Sequence, residues 1–238
     1  MSLSEEQEIH ANIVDTLAAM KAASGKAGRP PEDTQLLVVS KTWPTETIRL
    51  AASFPHTHFG ESRVQEVVAK IPAMPANLHW HLIGHLQKNK IRKVLPFCRT
   101  LHSVESLDLA RQIDRIAAEE GLRPEVYLQV NIADDGAKFG FSRTRIITEM
   151  EDALSLANLN ISGLMTIPAF STDPEETRPH FAALRKLRDE LEAQFDVRLP
   201  GLSMGMSGDY AVAIEEGSTI VRVGTAIFGN RSRPVETT

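Results

Sequence analysis

Two hydrophobic rhythms alternate along this chain. Short apolar or β-branched runs are each followed by polar or glycine residues, and then by stretches whose apolar positions lie three and four apart. Eight runs read as strands: Leu36 to Val39, Thr57 to Phe59, His79 to Ile83, Thr100 to Val104, Val126 to Val130, Ile161 to Met165, Leu199 to Ser203 and Ile220 to Val223. Of the helical stretches, Pro174 to Phe195 is the clearest, with Phe181, Leu184, Leu187, Leu191 and Phe195 forming one stripe. The opening segment places Ile9, Ile13, Leu17 and Met20 on one helical face, and a linker rich in Gly, Ala and Pro follows from Ser24 to Pro31. Alternation of this kind calls for parallel strands joined by crossover helices.

Eight such units build either an open doubly wound sheet or a closed (β/α)8 TIM barrel. The placement of chemistry favours closure. Lys41 follows the first run and Arg222 sits in the last, and a barrel hydrogen-bonds its first strand to its last with both carboxyl ends at one mouth. The expectation is a single barrel domain over residues 1–238 with an additional N-terminal helix, a length that closed α/β barrels commonly reach. There is no internal repeat of motif residues and no low-complexity segment.

Composition narrows the function classes. Charged residues are 24%, hydrophobic residues 42% and the formal net charge is -5, without the basic excess of a nucleic-acid binder. No apolar run approaches bilayer-spanning length, and the acidic start Met1-Ser2-Leu3-Ser4-Glu5-Glu6 does not read as a secretion signal. The single cysteine, Cys98, suits a reducing compartment and reads as a buried small hydrophobe, so a cytoplasmic location is expected. His79, His81 and His85 lack an acidic or cysteine ligand nearby, so no metal site is expected. Lys88, Lys90, Arg92 and Lys93 read as a solvated helix face, and Asp134 and Asp135 beside Gly136 as a turn.

The remaining residues carry chemistry. Lys41 is placed to form an imine with a carbonyl, against the plain reading of a solvated loop charge. In Ser203-Met204-Gly205-Met206-Ser207-Gly208-Asp209, glycines allow close backbone approach to an anion, Ser207 offers a hydroxyl, and the short helix Tyr210 to Glu215 starts at the same point. The plain alternative is a turn with an Asp cap. Val223-Gly224-Thr225 offers a second nest of backbone N–H groups where barrels often bind phosphate. Arg222 would point opposite Val221 and Val223, either toward the interior or into an ion pair with Glu215 or Glu216. Near Arg222, the Lys41 amine is expected to lose its proton more readily. An amine, a phosphate nest and a fixed guanidinium together suggest pyridoxal 5′-phosphate (PLP). An arginine facing the pyridine nitrogen would leave that ring a poor electron sink.

These residues lie in stretches that resemble the pyridoxal phosphate homeostasis protein family, also called the proline synthetase co-transcribed homologue family. The matching stretches are Val39-Ser40-Lys41-Thr42, Phe59-Gly60-Glu61, Val64-Gln65-Glu66, Trp80 to Lys90, Gly163-Leu164-Met165-Thr166-Ile167-Pro168, Leu202 to Asp209, and Ile214 through Gly229. The resemblance implies a barrel like the alanine racemase N-terminal domain, with PLP held as an imine on Lys41. It further implies that Arg222 faces the pyridine nitrogen, that Ser207 with the Gly224 and Thr225 backbone holds the phosphate, and that Met165 and Met204 line the ring, with Ser203 beside them. Members usually carry Asn after Phe-Gly-Glu; this chain has the shorter Ser62, a candidate cofactor contact of reduced reach.

The same resemblance implies a role in PLP homeostasis, buffering or delivering the cofactor, with PLP-dependent apo-enzymes as candidate recipients and the protein a monomer or weak homodimer. A non-catalytic carrier is the preferred expectation, with no catalytic residue assigned. A two-base racemase needs a second acid/base opposite the lysine, and the only tyrosines, Tyr127 and Tyr210, fall in a strand and beside the phosphate turn. A weak PLP-dependent racemase or lyase and a cofactor-free class I aldolase remain the alternatives.

Overall fold

The computed structural model describes residues 3–133 and 139–230; Asp134, Asp135 and Gly136 lie outside them. Eight parallel strands close into a barrel in chain order: β1 (Gln35–Val39), β2 (His58–Glu61), β3 (His79–Leu82), β4 (Thr100–Val104), β5 (Glu125–Gln129), β6 (Asn160–Met165), β7 (Gly201–Met206) and β8 (Ile220–Val223). Closure is made by β1 against β8, with Leu37 opposite Arg222 and Val38 opposite Val223. Lys41 and Arg222 therefore meet at one mouth.

The helices are α1 (Glu5–Lys26), α2 (Thr45–Ala52), α3 (Val64–Lys70), α4 (Ile91–Val94), α5 (Leu107–Glu120), α6 (Arg143–Leu154), α7 (Arg178–Phe195), α8 (Tyr210–Glu215) and α9 (Thr225–Phe228). Helix α1 starts at a reciprocal cap between Ser4 and Gln7, which satisfies amides that the first turn cannot. It runs to Lys26 and absorbs the beginning of the expected linker. Ile9, Ile13 and Met20 are buried as expected, but Leu17 is 38% exposed and the stripe is completed by Thr16, whose hydroxyl donates to the Asn12 carbonyl at 2.7 Å. Asn12 Nδ2 donates to the Ile227 carbonyl at 2.8 Å, which ties the helix to α9. The stretch from Pro174 begins with a 3-10 turn and becomes α-helical at Arg178, with Phe181, Leu184, Leu187 and Leu191 fully buried.

The main core lies between barrel and helices. Outward-facing strand residues such as Leu36, Val38 and Val221 pack against Ile13, Ile48 and Ile227, each buried side chain contributing about 1.5–3 kcal/mol. Inside the barrel the apolar set is small, Leu37, Tyr127, Met165 and Ile220, and it shares the space with the buried polar side chains of His81, His102, Ser203 and Arg222. Cys98 is buried, and burial raises its thiol pKa far above the usual range. No described helix is long and apolar enough to cross a membrane.

Candidate cofactor site at the barrel mouth

Lys41 projects from a turn whose backbone is held on both sides. Before it, the Ser40 amide donates to the Gly60 carbonyl at 3.0 Å and the Ser40 hydroxyl donates to Glu61 Oε1 at 2.8 Å. After it, Thr42 takes a left-handed conformation (φ 68°) that a β-branched residue rarely adopts, and its amide donates to Glu66 Oε2 at 2.6 Å. Lys70 fastens the two carboxylates together, donating to Glu66 at 2.6 Å, Glu61 at 3.0 Å and the Ser40 carbonyl at 3.3 Å. Burial opposes ionisation of Glu66, but hydrogen bonds from Lys70 and Thr42 outweigh it and hold that carboxyl below the usual range. For Glu61 burial dominates and raises the pKa, offset in part by Lys70 and Ser40; its Oε2 is buried with no partner among the described residues.

Opposite Lys41, two turns are joined by one hydroxyl. Ser207 Oγ accepts from the Gly224 amide at 3.2 Å and the Ala226 amide at 3.3 Å, so the turn after β7 and the turn after β8 form one surface rich in backbone N–H groups. Asp209 shapes the first turn through Oδ1, which accepts from the Met206 amide at 2.7 Å. Burial raises the Asp209 pKa, against the pull of that amide and of Arg222. Gly205 is required here: its φ is 92°, and a Cβ would lie 2.6 Å from that of Ala213.

Arg222 points into the barrel and is 4% exposed. One guanidinium nitrogen donates to the Ser203 carbonyl and hydroxyl, both at 2.7 Å, and another to the Thr166 carbonyl at 2.9 Å. Burial lowers its pKa to about 10, with Asp209 opposing, so it stays a cation at neutral pH. The ion-pair alternative is not what forms: Glu215 pairs with Lys26 and Arg178, and Glu216 with Arg178 and Arg185.

These elements enclose a cavity of about 400 Å3 lined by Lys41, Ser62, Ser207, Asp209, Arg222, Gly224 and Thr225, with Val39, Trp43 and Ile83 among the apolar walls. Gly84 lets the second and third loops pass, because a Cβ there would lie 2.1 Å from the Ser62 carbonyl oxygen. The sequence pattern of the alanine racemase N-terminal domain family matches residues 16–232. The pyridoxal phosphate homeostasis protein of Aquifex aeolicus (strain VF5) is 41% identical over 216 residues, which are 90% of this chain and 95% of that protein.

The chain belongs to the pyridoxal phosphate homeostasis family.

A relative from Schizosaccharomyces pombe with the same name is 37% identical over 84% of this chain and 85% of its own. PipY of Synechococcus elongatus PCC7942, solved with PLP bound, superposes with a TM-score of 0.78 at 40% identity, covering 89% of this chain and 99% of its own. Alanine racemase of Clostridium difficile 630 shares the fold alone: TM-score 0.73 at 17% identity, covering 94% of this chain and 58% of its own.

Of the residues singled out in this family member's sequence, Lys41, Ser62, Ser207, Arg222, Gly224 and Thr225 line the cavity, while Ser203, Met165 and Met204 do not. Ser203 and Met204 are neighbours on one strand, and alternation sends one inward and the other outward. Ser203 faces the interior and braces Arg222; Met204 is buried in the core between barrel and helices. Met165 is buried inside the barrel with Leu37, Tyr127 and Ile220. Within Trp80 to Lys90, Ile83 and Gly84 reach the cavity, whereas Trp80 packs on Phe59 and His85 turns to Glu105 at 3.1 Å. Lys88 pairs with Asp108, and Arg92 with Glu119 and Glu120, as surface charges do.

Sequence reading missed the Glu61–Glu66–Lys70 brace. The i,i+4 spacing of Glu66 and Lys70 was its one local signal.

Proposed function

We propose that this protein binds PLP at the barrel mouth and serves intracellular PLP homeostasis by holding the cofactor reversibly and releasing it. The observation that carries the reading is the convergence of Lys41, Arg222 and the Ser207–Gly224–Thr225 surface on one cavity of about 400 Å3. That volume falls within the range of small-molecule and cofactor sites. The donor set fits the cofactor's parts. Backbone N–H groups around Ser207 and Gly224 suit a phosphate, the Lys41 amine suits an aldehyde with which it condenses with loss of water, and Arg222 suits a ring nitrogen that is to stay unprotonated. When bound, PLP supplies an electron-withdrawing ring, which an arginine at that nitrogen weakens.

Storage is favoured over catalysis because, among the described residues, the titratable side chains lining the cavity are Lys41, Asp209 and Arg222. Tyr127 instead stacks on His102 inside the barrel, with centroids 4.8 Å apart, so a lysine-tyrosine pair across a substrate is not assembled. The relatives' shared name supports a homeostatic role, and the PLP in PipY supports the cofactor. The whole chain acts as one cytoplasmic PLP-binding unit, monomeric or weakly dimeric, with PLP-dependent apo-enzymes as recipients.

The test is borohydride reduction of PLP-loaded protein followed by peptide mass mapping, with Lys41→Ala in parallel. A reduced pyridoxyl adduct on the Lys41 peptide, lost in the variant, is expected. An adduct elsewhere, or none, overturns the assignment. Release of amino-acid α-hydrogen into solvent at enzymatic rates would replace the carrier with a catalyst.

A further inference from the structure

Behind Arg222 a file of side chains, buried but for the half-buried His58 at its end, crosses the barrel to its amino-terminal end. Arg222 donates to Ser203 Oγ at 2.7 Å; Ser203 Oγ lies 2.7 Å from His102 Nδ1; His102 Nε2 lies 2.9 Å from His81 Nδ1; and His81 Nε2 lies 3.1 Å from His58 Nδ1. A guanidinium only donates, and Ser203 Oγ has no described partner besides Arg222 and His102; satisfying the serine hydrogen therefore sets the direction of the file. With Ser203 Oγ accepting from Arg222, its one hydrogen is satisfied by donating to His102 Nδ1. His102 must then donate from Nε2 to His81, and His81 from Nε2 to His58. The histidines are neutral: burial drives His102 well down and, with help from neighbouring histidines, takes His81 to about 3 and His58 to about 4. His58, the last member, therefore carries its proton on Nε2.

That N–H has no acceptor among the described residues, and it lies at a cleft of about 870 Å3 whose lining includes His58, His79, His81, Arg99, Arg123 and Glu125. The guanidinium groups of Arg99 and Arg123 make no hydrogen bond or ion pair with any described residue, and the His79 ring stacks on His58 with centroids 4.9 Å apart. Among the described lining residues the one carboxylate, Glu125, already accepts from the Thr100 hydroxyl at 3.0 Å. Met74, Leu78 and Phe97 add apolar surface to the same lining. In a chain of net charge -5, this is a local excess of unpaired donors and positive charge beside an apolar wall.

We propose that the cleft at the amino-terminal end of the barrel is a second binding site, for a phosphate monoester of a small organic molecule. Arg99 and Arg123 supply forked donors matched to phosphate oxygens, His58 Nε2–H adds a donor whose direction the file imposes, and the apolar residues take the organic group. The site is separate from the mouth and does not depend on whether PLP binds there.

The test uses the full chain with ring nitrogens followed by 1H–15N NMR. His58, His81 and His102 are expected as neutral Nε2–H tautomers. Phenyl phosphate should then shift the His58 and His79 ring signals saturably. Arg99→Ala combined with Arg123→Ala, both exposed positions, should weaken that response about tenfold or more. Gly224 and Ala226 amide signals report separately on phosphate reaching the mouth, so occupancy of the two ends is told apart. Three results overturn the proposal: an Nδ1–H tautomer at His58, ring shifts that phenol reproduces equally well, or a response unchanged by removing both arginines.

Discussion

At the carboxyl-terminal mouth, Ser207, Asp209 and Glu66 each turn an oxygen onto a backbone amide, so the site's shape is fixed by main chain; at the amino-terminal floor, His58, Arg99 and Arg123 present donors that no described residue accepts. The mouth is thus preorganised by internal pairing, and its free chemistry is concentrated on few side chains. The floor is polar without being satisfied. Between them, one hydrogen-bonded file makes the interior of the barrel a connection as well as a core. The buried middle of the file is tolerated because Ser203, His102 and His81 each both donate and accept, which leaves the unmade bond to His58 at its half-buried end.

The sharpest way to break the mouth is steric. Gly84→Ala would place a Cβ at 2.1 Å from the Ser62 carbonyl oxygen, and backbone must move to relieve it. A loss of about 3 kcal/mol in urea unfolding is expected, together with weakened PLP binding. Full stability with unchanged binding would show that these loops yield easily and that the mouth is not rigid. Ser203→Ala acts on the link between the two ends. It removes the oxygen shared by Arg222 and His102 and leaves the His102 nitrogen without its partner, at a cost of about 2 kcal/mol. The His102 and His81 ring signals should move with it, while a change confined to residue 203 would show that the file does not act as a unit.

Acid separates the ends by a smaller increment. His81 and His102 are buried neutral, with folded pKa values depressed below the unfolded 6.5, so the unfolded chain binds more protons once pH falls below about 6.5. Their contribution to stability is complete above that pH and is lost progressively toward the folded value, about 3 for His81. Each should steepen the dependence by about 1.4 kcal/mol per pH unit, measured by urea unfolding between roughly pH 6 and 5, above most carboxylate titration. His81→Gln should flatten that slope. An unchanged slope would mean the histidines are charged in the folded protein.

The eight strands, the place of Lys41 at the mouth and the glycine-rich turns were legible because their signals are local: an apolar run, a lysine just after it, glycines beside a serine. Closure was inferable from the expectation that Lys41 and Arg222, at opposite ends of the chain, serve one ligand, and β1 does pair with β8. Ser203 and Met204 are expected together at the ring, yet neighbouring residues on a strand face opposite ways, and β7 turns Ser203 to Arg222 inside the barrel and Met204 to the outer core. The file was not legible. His102 and Ser203 are separated by 101 positions, and neither residue type at its place in the sequence distinguishes a relay from an ordinary buried polar group. Leu17 failed for a related reason: periodicity marks a face, but the neighbours of α1 decide where that face ends, and Thr16 fills the edge by bonding back to Asn12.

Thr42, held left-handed by Glu66, gives the segment around Lys41 one backbone shape instead of several. On the proposed attachment of the cofactor at Lys41, the backbone on either side of the amine would keep its shape, and rotation about exposed side-chain bonds takes picoseconds to nanoseconds. The proposed exchange would then be paced by making and breaking the covalent bond more than by reshaping the turn that carries the lysine.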